Sequence, residues 1–119
     1  MRILLASCLL GLATIVPAAA QSIGGSYTVE GTNFDGSPYA GTAEITLTSE
    51  TTCVIEWETG GTTSQGICMR NDDAFAAGYV LDDAIGLIVY KVNEDGSMSG
   101  LWTLAGKEGN GTENLIPSN

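Results

Sequence analysis

Apolar and polar residues alternate in short segments along residues 25–116, and this period of two is typical of half-buried β-strands. No stretch there repeats its apolar residues at the three- and four-residue spacing of an amphipathic helix for three turns. Gly, Asn, Asp and Ser interrupt the alternation roughly every ten residues, a spacing that favours an all-β sandwich or barrel. The pattern predicts eight strands, at residues 25–32, 39–48, 51–59, 62–70, 74–81, 85–92, 97–104 and 110–116.

The connections between these strands are all short, so consecutive strands should pair as antiparallel neighbours. Glycine recurs at inward positions of the predicted strands, where it weakens a strand and usually marks a bend or a close approach. A tightly coiled sheet that closes around a narrow interior accounts for all of these glycines. The predicted fold is therefore all-β, a small eight-stranded antiparallel up-and-down barrel, with an open β-sandwich as the alternative. The inward glycines are Gly31, Gly41, Gly66, Gly86 and Gly100.

The first twenty residues have a different pattern. A basic start at Arg2, an apolar run over residues 3–16 and small residues up to Ala20 are typical of a secretory signal peptide. The apolar run is shorter than the roughly 20 residues of a transmembrane helix. We predict a signal peptide at 1–20, one barrel domain at 21–119, and a periplasmic or secreted location.

Two cysteines lie beyond this segment, and an exported chain meets an oxidising compartment. If Gly60 and Gly61 form the centre of a hairpin turn, pairing outward from that turn places Cys53 opposite Cys68. We predict a Cys53–Cys68 disulfide inside this hairpin, worth roughly 3 kcal/mol on the chain-entropy model.

The composition excludes several kinds of chemistry. The chain has no histidine, which rules out Ser-His-Asp triads, Cys-His pairs and His-ligated metals. Four basic against 14 acidic side chains give a net charge of −10, which argues against binding nucleic acid or an anionic membrane surface. We expect no cofactor.

Acidic side chains are the abundant reactive groups. Glu56 and Glu58 share a strand face, and Glu30 and Glu44 could meet across the first hairpin, as paired carboxylates of a glycoside hydrolase would. Alternation places all four on the solvent face, so we predict that the protein is not an enzyme. The Asp-rich turns lack the register of a calcium loop, and no metal site is predicted.

One acid has an inward position. If Gly111, Glu113 and Leu115 share the inward face, the Glu113 carboxylate lies near the barrel mouth and needs hydrogen-bond donors. Arg70, the sole arginine after residue 20, is the natural partner. The pair could be a polar latch that closes the last strand, or Glu113 could recognise a ligand.

Five aromatic residues alternate with the inward glycines and aliphatics. They could line a cavity for a small apolar ligand, or fill the interior of so small a barrel as core. These residues are Tyr27, Tyr39, Trp57, Tyr90 and Trp102.

Several segments together resemble small exported all-β proteins of Gram-negative bacteria, some of them named fibronectin-binding. The segments include Gly25–Asn33, Tyr39–Thr42, Gly100–Trp102 and Gly111–Leu115. Such chains are similar to avidin-like and lipocalin-like barrels in strand count and in the Gly-x-Trp element. Cys53 and Cys68 depart from the family pattern, which favours a disulfide that stabilises this hairpin over a shared functional feature.

These observations favour an exported, non-enzymatic barrel that binds a protein or a small apolar molecule. The alternative is a periplasmic protein resembling barrel-shaped protease inhibitors, which insert an N-terminal arm into the protease. Only residues 21–24 precede the first strand here, and this counts against the alternative. A carboxylate hydrolase is the third hypothesis, and the outward acids disfavour it.

Overall fold

Each predicted strand is present in the computed structural model, which describes residues 22–118. The eight strands form a closed antiparallel barrel in chain order, so the barrel prediction is confirmed and the open sandwich is wrong. The predicted signal peptide lies outside the described residues. The strands are β1 (Gly25–Thr32), β2 (Pro38–Leu47), β3 (Thr52–Thr59), β4 (Thr62–Asn71), β5 (Ala74–Leu81), β6 (Ala84–Val92), β7 (Met98–Leu104) and β8 (Gly111–Pro117).

The barrel closes where β8 pairs with β1. Val29 lies opposite Leu115 and Gly31 opposite Glu113 in this last antiparallel ladder. Closure leaves neither strand as an exposed edge that could pair with another chain. It also brings the inward residues of β8 against those of β1 and β2.

The barrel interior is filled by side chains from alternate positions. Val29, Phe75, Met98 and Leu115 have no exposed surface, and Tyr90 is 2% exposed. These residues come from β1, β5, β6, β7 and β8, so the core spans the closure.

Inward glycines make room for aromatic rings from the neighbouring strand. A β-carbon at Gly31 would collide with the ring of Tyr39, its partner in β2. Likewise, a β-carbon at Gly86 would collide with the ring of Tyr79, its partner in β5. The glycines therefore allow large rings to lie across the adjacent strand inside a narrow barrel.

The β3–β4 hairpin has the predicted geometry. Gly60 and Gly61 form a two-residue turn with φ of 58° and 81°, values that glycine adopts without strain. Cys53 and Cys68 are paired in the ladder, with Cα atoms 5.0 Å apart, and they form a disulfide. The disulfide prediction is confirmed.

The outer surface of the barrel is divided into two unlike parts. Acidic side chains face outward from β1–β3, as predicted for Glu30, Glu44, Glu56 and Glu58. Strands β4–β7 instead expose apolar side chains that adjoin one another in the ladders. We call this surface the apolar face; it comprises Ile67, Met69, Val80, Ile85, Leu87, Val89 and Leu101, which are 52–73% exposed. Among residues 22–118 no helix is long and apolar enough to span a membrane.

Candidate functional site: an aromatic cavity with a buried carboxyl group

A cavity of about 360 Å³ lies beside the β3–β4 and β5–β6 turns, at one end of the barrel. Four aromatic side chains from four strands line it, together with hydroxyl-bearing residues and two acids. The aromatic residues are Tyr39, Trp57, Tyr79 and Trp102, and the acids are Asp82 and Glu113. Its size falls within the range of about 300–1,000 Å³ that is usual for small-molecule pockets.

Glu113 is the polar centre of this cavity. The side chain is 5% exposed, and its carboxyl group accepts three hydrogen bonds. Tyr39 donates its hydroxyl to Oε1 at 2.7 Å, whereas the Trp57 indole N–H and the Tyr90 hydroxyl donate to Oε2 at 2.8 Å and 2.5 Å. The donors come from β2, β3 and β6, so the carboxyl group links three strands to β8. Such charge-assisted bonds hold a carboxylate in a fixed position.

Arg70 lies beside the β4–β5 turn, whereas the cavity lies beside the β3–β4 and β5–β6 turns. Its Nε donates to the backbone carbonyl of Asp72 at 2.6 Å, and the residue is 8% exposed. Within residues 22–118, the hydrogen bonds to Glu113 come from Tyr39, Trp57 and Tyr90. The proposed latch between Arg70 and Glu113 stays a prediction.

The five aromatic residues singled out in the sequence occupy two regions. Tyr39, Trp57 and Trp102 line the cavity. Tyr90 is buried and stacks on Phe75 with ring centroids 5.4 Å apart, and Tyr27 donates its hydroxyl to the carbonyl of Ile23. Three of the five therefore face the cavity, and two belong to the packed core.

Tyr79 lines the cavity but is absent from the sequence prediction. Its ring packs edge-on against Trp57 with centroids 5.2 Å apart, and its hydroxyl donates to the carbonyl of Thr103 at 3.3 Å. The signal was present in the sequence, because Phe75, Ala77 and Tyr79 occupy alternate positions of β5. The inward face of β5 could have been assigned from that alternation.

The two cavity tyrosines, Tyr39 and Tyr79, and the core residue Tyr90 are held in their neutral form. Burial, followed by the charge of Glu113, raises the pKa of Tyr79 to about 12. Burial and the nearby Glu113 raise the pKa values of Tyr39 and Tyr90 as well. Each phenol therefore keeps the proton that it needs as a hydrogen-bond donor near neutral pH.

The charged residues of the cavity are all acidic. Glu113 lies within it and Asp82 lines it, whereas Arg70, Lys91 and Lys107, the cations among residues 22–118, do not. The same residues contain no group of three or more acidic or cysteine side chains placed to hold a metal ion. What the cavity offers to a ligand is aromatic surface and negative charge.

Comparison with known proteins relates the chain to other barrels by fold. No family model and no curated protein matches the sequence. A redesigned β-barrel is similar over 89% of this chain and 100% of its own, with a TM-score of 0.71 and 15% identity. A second redesigned barrel, mFAP1 bound to DFHBI, covers 83% of this chain and 98% of its own, with a TM-score of 0.68 and 20% identity.

Two further structures extend this comparison. A de novo fluorescence-activating β-barrel covers 87% of this chain and 100% of its own, with a TM-score of 0.66 and 17% identity. A variant of the fluorescent protein UnaG has a TM-score of 0.51 at 10% identity, over 80% of this chain and 95% of its own. These likenesses establish the barrel fold. The kinship with exported bacterial proteins and fibronectin binding stay predictions.

Proposed function

We propose that this protein is an exported, non-enzymatic barrel that binds a small, largely apolar molecule in the aromatic cavity. The observation that carries the proposal is the cavity of about 360 Å³, which four aromatic side chains surround and in which Glu113 is fixed by three donors. Small-molecule sites combine this kind of apolar lining with a few well-placed polar groups.

Three further observations support the proposal. A similar barrel is bound to DFHBI in its solved structure, so this architecture can hold a small ligand. The Cys53–Cys68 disulfide fits an oxidising compartment. The outward acids on β1–β3 are exposed to solvent, whereas carboxylates that catalyse glycoside hydrolysis flank the bond they cleave.

The proposal can be tested by blocking the cavity. Ser64 lines it, and Thr63, the preceding residue, faces outward on the same strand. Ser64→Phe should fill part of the cavity and weaken binding of the neutral dye Nile red at least about tenfold, since it takes the space of the ligand. Thr63→Phe, the matched control, should leave binding unchanged. Equal binding by wild type and Ser64→Phe in a fluorescence titration would contradict the proposal.

A second candidate function, binding of a protein, is favoured by the apolar face on β4–β7. Exposed apolar patches with a polar border are typical of protein-binding surfaces. Two pairs of aspartates border this face, Asp72-Asp73 at one end of β5 and Asp82-Asp83 at the other. A partner with an apolar centre and a basic rim would complement both features.

This second candidate has its own test, because the apolar face lies outside the cavity. A double variant, Ile67→Ser with Leu87→Ser, removes two of its exposed side chains. The control, Ile116→Ser, removes an exposed apolar side chain of β8. A true partner should bind wild type and the control alike, bind the double variant more weakly, and dissociate as salt increases. If the partner binds wild type, the double variant and the control equally, the apolar face is excluded as the binding surface.

A further inference from the structure

We infer that the cavity selects organic cations, in which an ammonium group is attached to an apolar body. This inference rests on the proposed binding function and names the ligand class. It follows from two features of the cavity that are independent of each other, its aromatic lining and the sign of its charges.

The aromatic lining favours a cation. Tyr39, Trp57, Tyr79 and Trp102 come from β2, β3, β5 and β7, so the rings surround the cavity from several sides. Two pairs of these rings pack edge-on against each other. The ring centroids are 5.2 Å apart for Trp57 and Tyr79 and 6.2 Å apart for Tyr39 and Trp102. Aromatic rings attract a cation through the negative potential of their faces, and cages of such rings recognise quaternary ammonium groups.

The charges of the cavity favour the same class. Glu113 is 5% exposed and is held by donors from three strands, so its position is fixed before a ligand arrives. Asp82 is a second acidic residue of the lining, and the cations among residues 22–118 lie elsewhere. An anionic ligand would approach two like charges, whereas a cation would be attracted by both.

The charge of the whole chain acts in the same direction. A net charge of −10 attracts cations from solution and raises their concentration near the mouth of the cavity. Nothing comparable favours a neutral molecule, which would gain only from contact with the apolar lining. The cavity should therefore bind a cationic ligand more tightly than a neutral ligand of the same shape.

Three ligands of similar size test the inference directly. Benzyltrimethylammonium carries a permanent charge, neopentylbenzene is its neutral carbon analogue, and benzenesulfonate is an anion. Calorimetric titration at pH 7 should give affinity about tenfold higher for the cation than for the neutral analogue, and negligible affinity for the anion. If the neutral analogue binds as tightly as the cation, the selectivity is overturned and the proposed function stands. If none of the three binds, the selectivity is overturned, and the proposed function is decided by the Nile red titration alone.

A pair of aspartates provides matched variants. Asp82 and Asp72 both have φ of 55°, a backbone conformation that Asn also tolerates, but only Asp82 lines the cavity. Asp82→Asn should lower affinity for benzyltrimethylammonium about two- to threefold without changing that for neopentylbenzene, whereas Asp72→Asn should change neither. Equal effects of the two variants on the cation would contradict the inference.

Glu113→Gln removes the buried charge while keeping the shape of the side chain. Where this variant folds, as judged by its circular dichroism and melting curve, it should lose about tenfold in affinity for the cation and little for the neutral analogue. Unchanged affinity of folded Glu113→Gln for the cation would overturn the role assigned to the carboxylate. The aspartate pair keeps the inference testable where Glu113→Gln does not fold.

Discussion

At the scale of single residues, Glu113 is the most constrained side chain of the site. Its Oε2 accepts hydrogen bonds from both Trp57 and Tyr90, and Tyr90 is 2% exposed. A donor to a charged acceptor in such a place cannot be replaced easily by water. The cost of removing a donor should therefore depend on how deeply that donor is buried.

Tyr90→Phe tests this dependence. The substitution keeps the ring and deletes only the hydroxyl, so we expect the free energy of unfolding to fall by about 1.5–3 kcal/mol. Tyr39→Phe should cost less, because Tyr39 lines the cavity, where water can replace its hydroxyl. Urea denaturation measures both values. A Tyr90→Phe variant as stable as wild type would contradict the assignment of this bond.

The four tyrosines provide a second prediction, on pH. All four have pKa values raised chiefly by burial, and for Tyr79 the value is about 12 against 10.0 for an unperturbed phenol. Because the folded-state pKa exceeds the unfolded one, the stabilising contribution is complete below about pH 10 and is lost as the pH rises towards 12. Absorbance at 295 nm should show no tyrosine ionising near pH 10 in folded protein. One phenol ionising there without unfolding would contradict the burial.

The sequence placed Glu113 on the inward face of its strand but did not identify the hydrogen-bond donors to its carboxyl group. Alternation along β8 predicted an inward Glu113, because side-chain direction is a local property of a strand. Its donors lie 23, 56 and 74 residues away, and which of them meet depends on the register of the closed barrel. Charge alone suggested Arg70, whereas the donors that the structure provides are neutral aromatic side chains. Local patterns carry no information on that register.

At the scale of elements, turn chemistry determined the strand boundaries to within one residue. The segments Asn33–Ser37 and Asn93–Ser97 form the same turn, each with glycine at φ of 88° and an aspartate that accepts a hydrogen bond from the following serine N–H. Those serine hydrogen bonds lower the pKa of Asp35 and of Asp95. The two segments differ only at Phe34 and Glu94, and they form the same turn because the hydrogen bonds of the other four residues are local. Strand ends were therefore predictable, whereas the sequence could not decide between an aromatic cavity and a filled interior.

The β3–β4 hairpin gives the prediction at this scale. Cys53 and Cys68 close a loop with a sequence separation of 15, so replacing both with alanine should lower the free energy of unfolding by roughly 3 kcal/mol. Protein lacking residues 1–20 and purified without reductant should have no titratable thiol, even in denaturant. Two reactive thiols in protein purified in this way would contradict the disulfide.

At the scale of the whole molecule, the first and the last strand, β1 and β8, are neighbours in the same sheet. Tyr27 lies opposite Pro117, and the Ser118 N–H donates to the Ser26 carbonyl at 2.9 Å. The β8–β1 pair thus resembles the other antiparallel pairs, except that no turn connects its strands. We therefore expect barrel closure to depend on this ladder and not on which pair of neighbouring strands lacks a connecting turn.

A circular permutant tests that independence. A short Gly/Ser linker from residue 118 to residue 22, with new ends in the exposed 105–110 segment, keeps all eight strand pairings. We expect this permutant to unfold cooperatively and to bind the same ligands as wild type, because exposed loops tolerate new termini.

Deleting residues 111–119 should instead abolish cooperative unfolding, since it removes Leu115 and Glu113 and exposes two strand edges. Urea titrations followed by tryptophan fluorescence distinguish the two. A folded deletion variant, or an unfolded permutant, would show that closure by β8 is not what holds the barrel together.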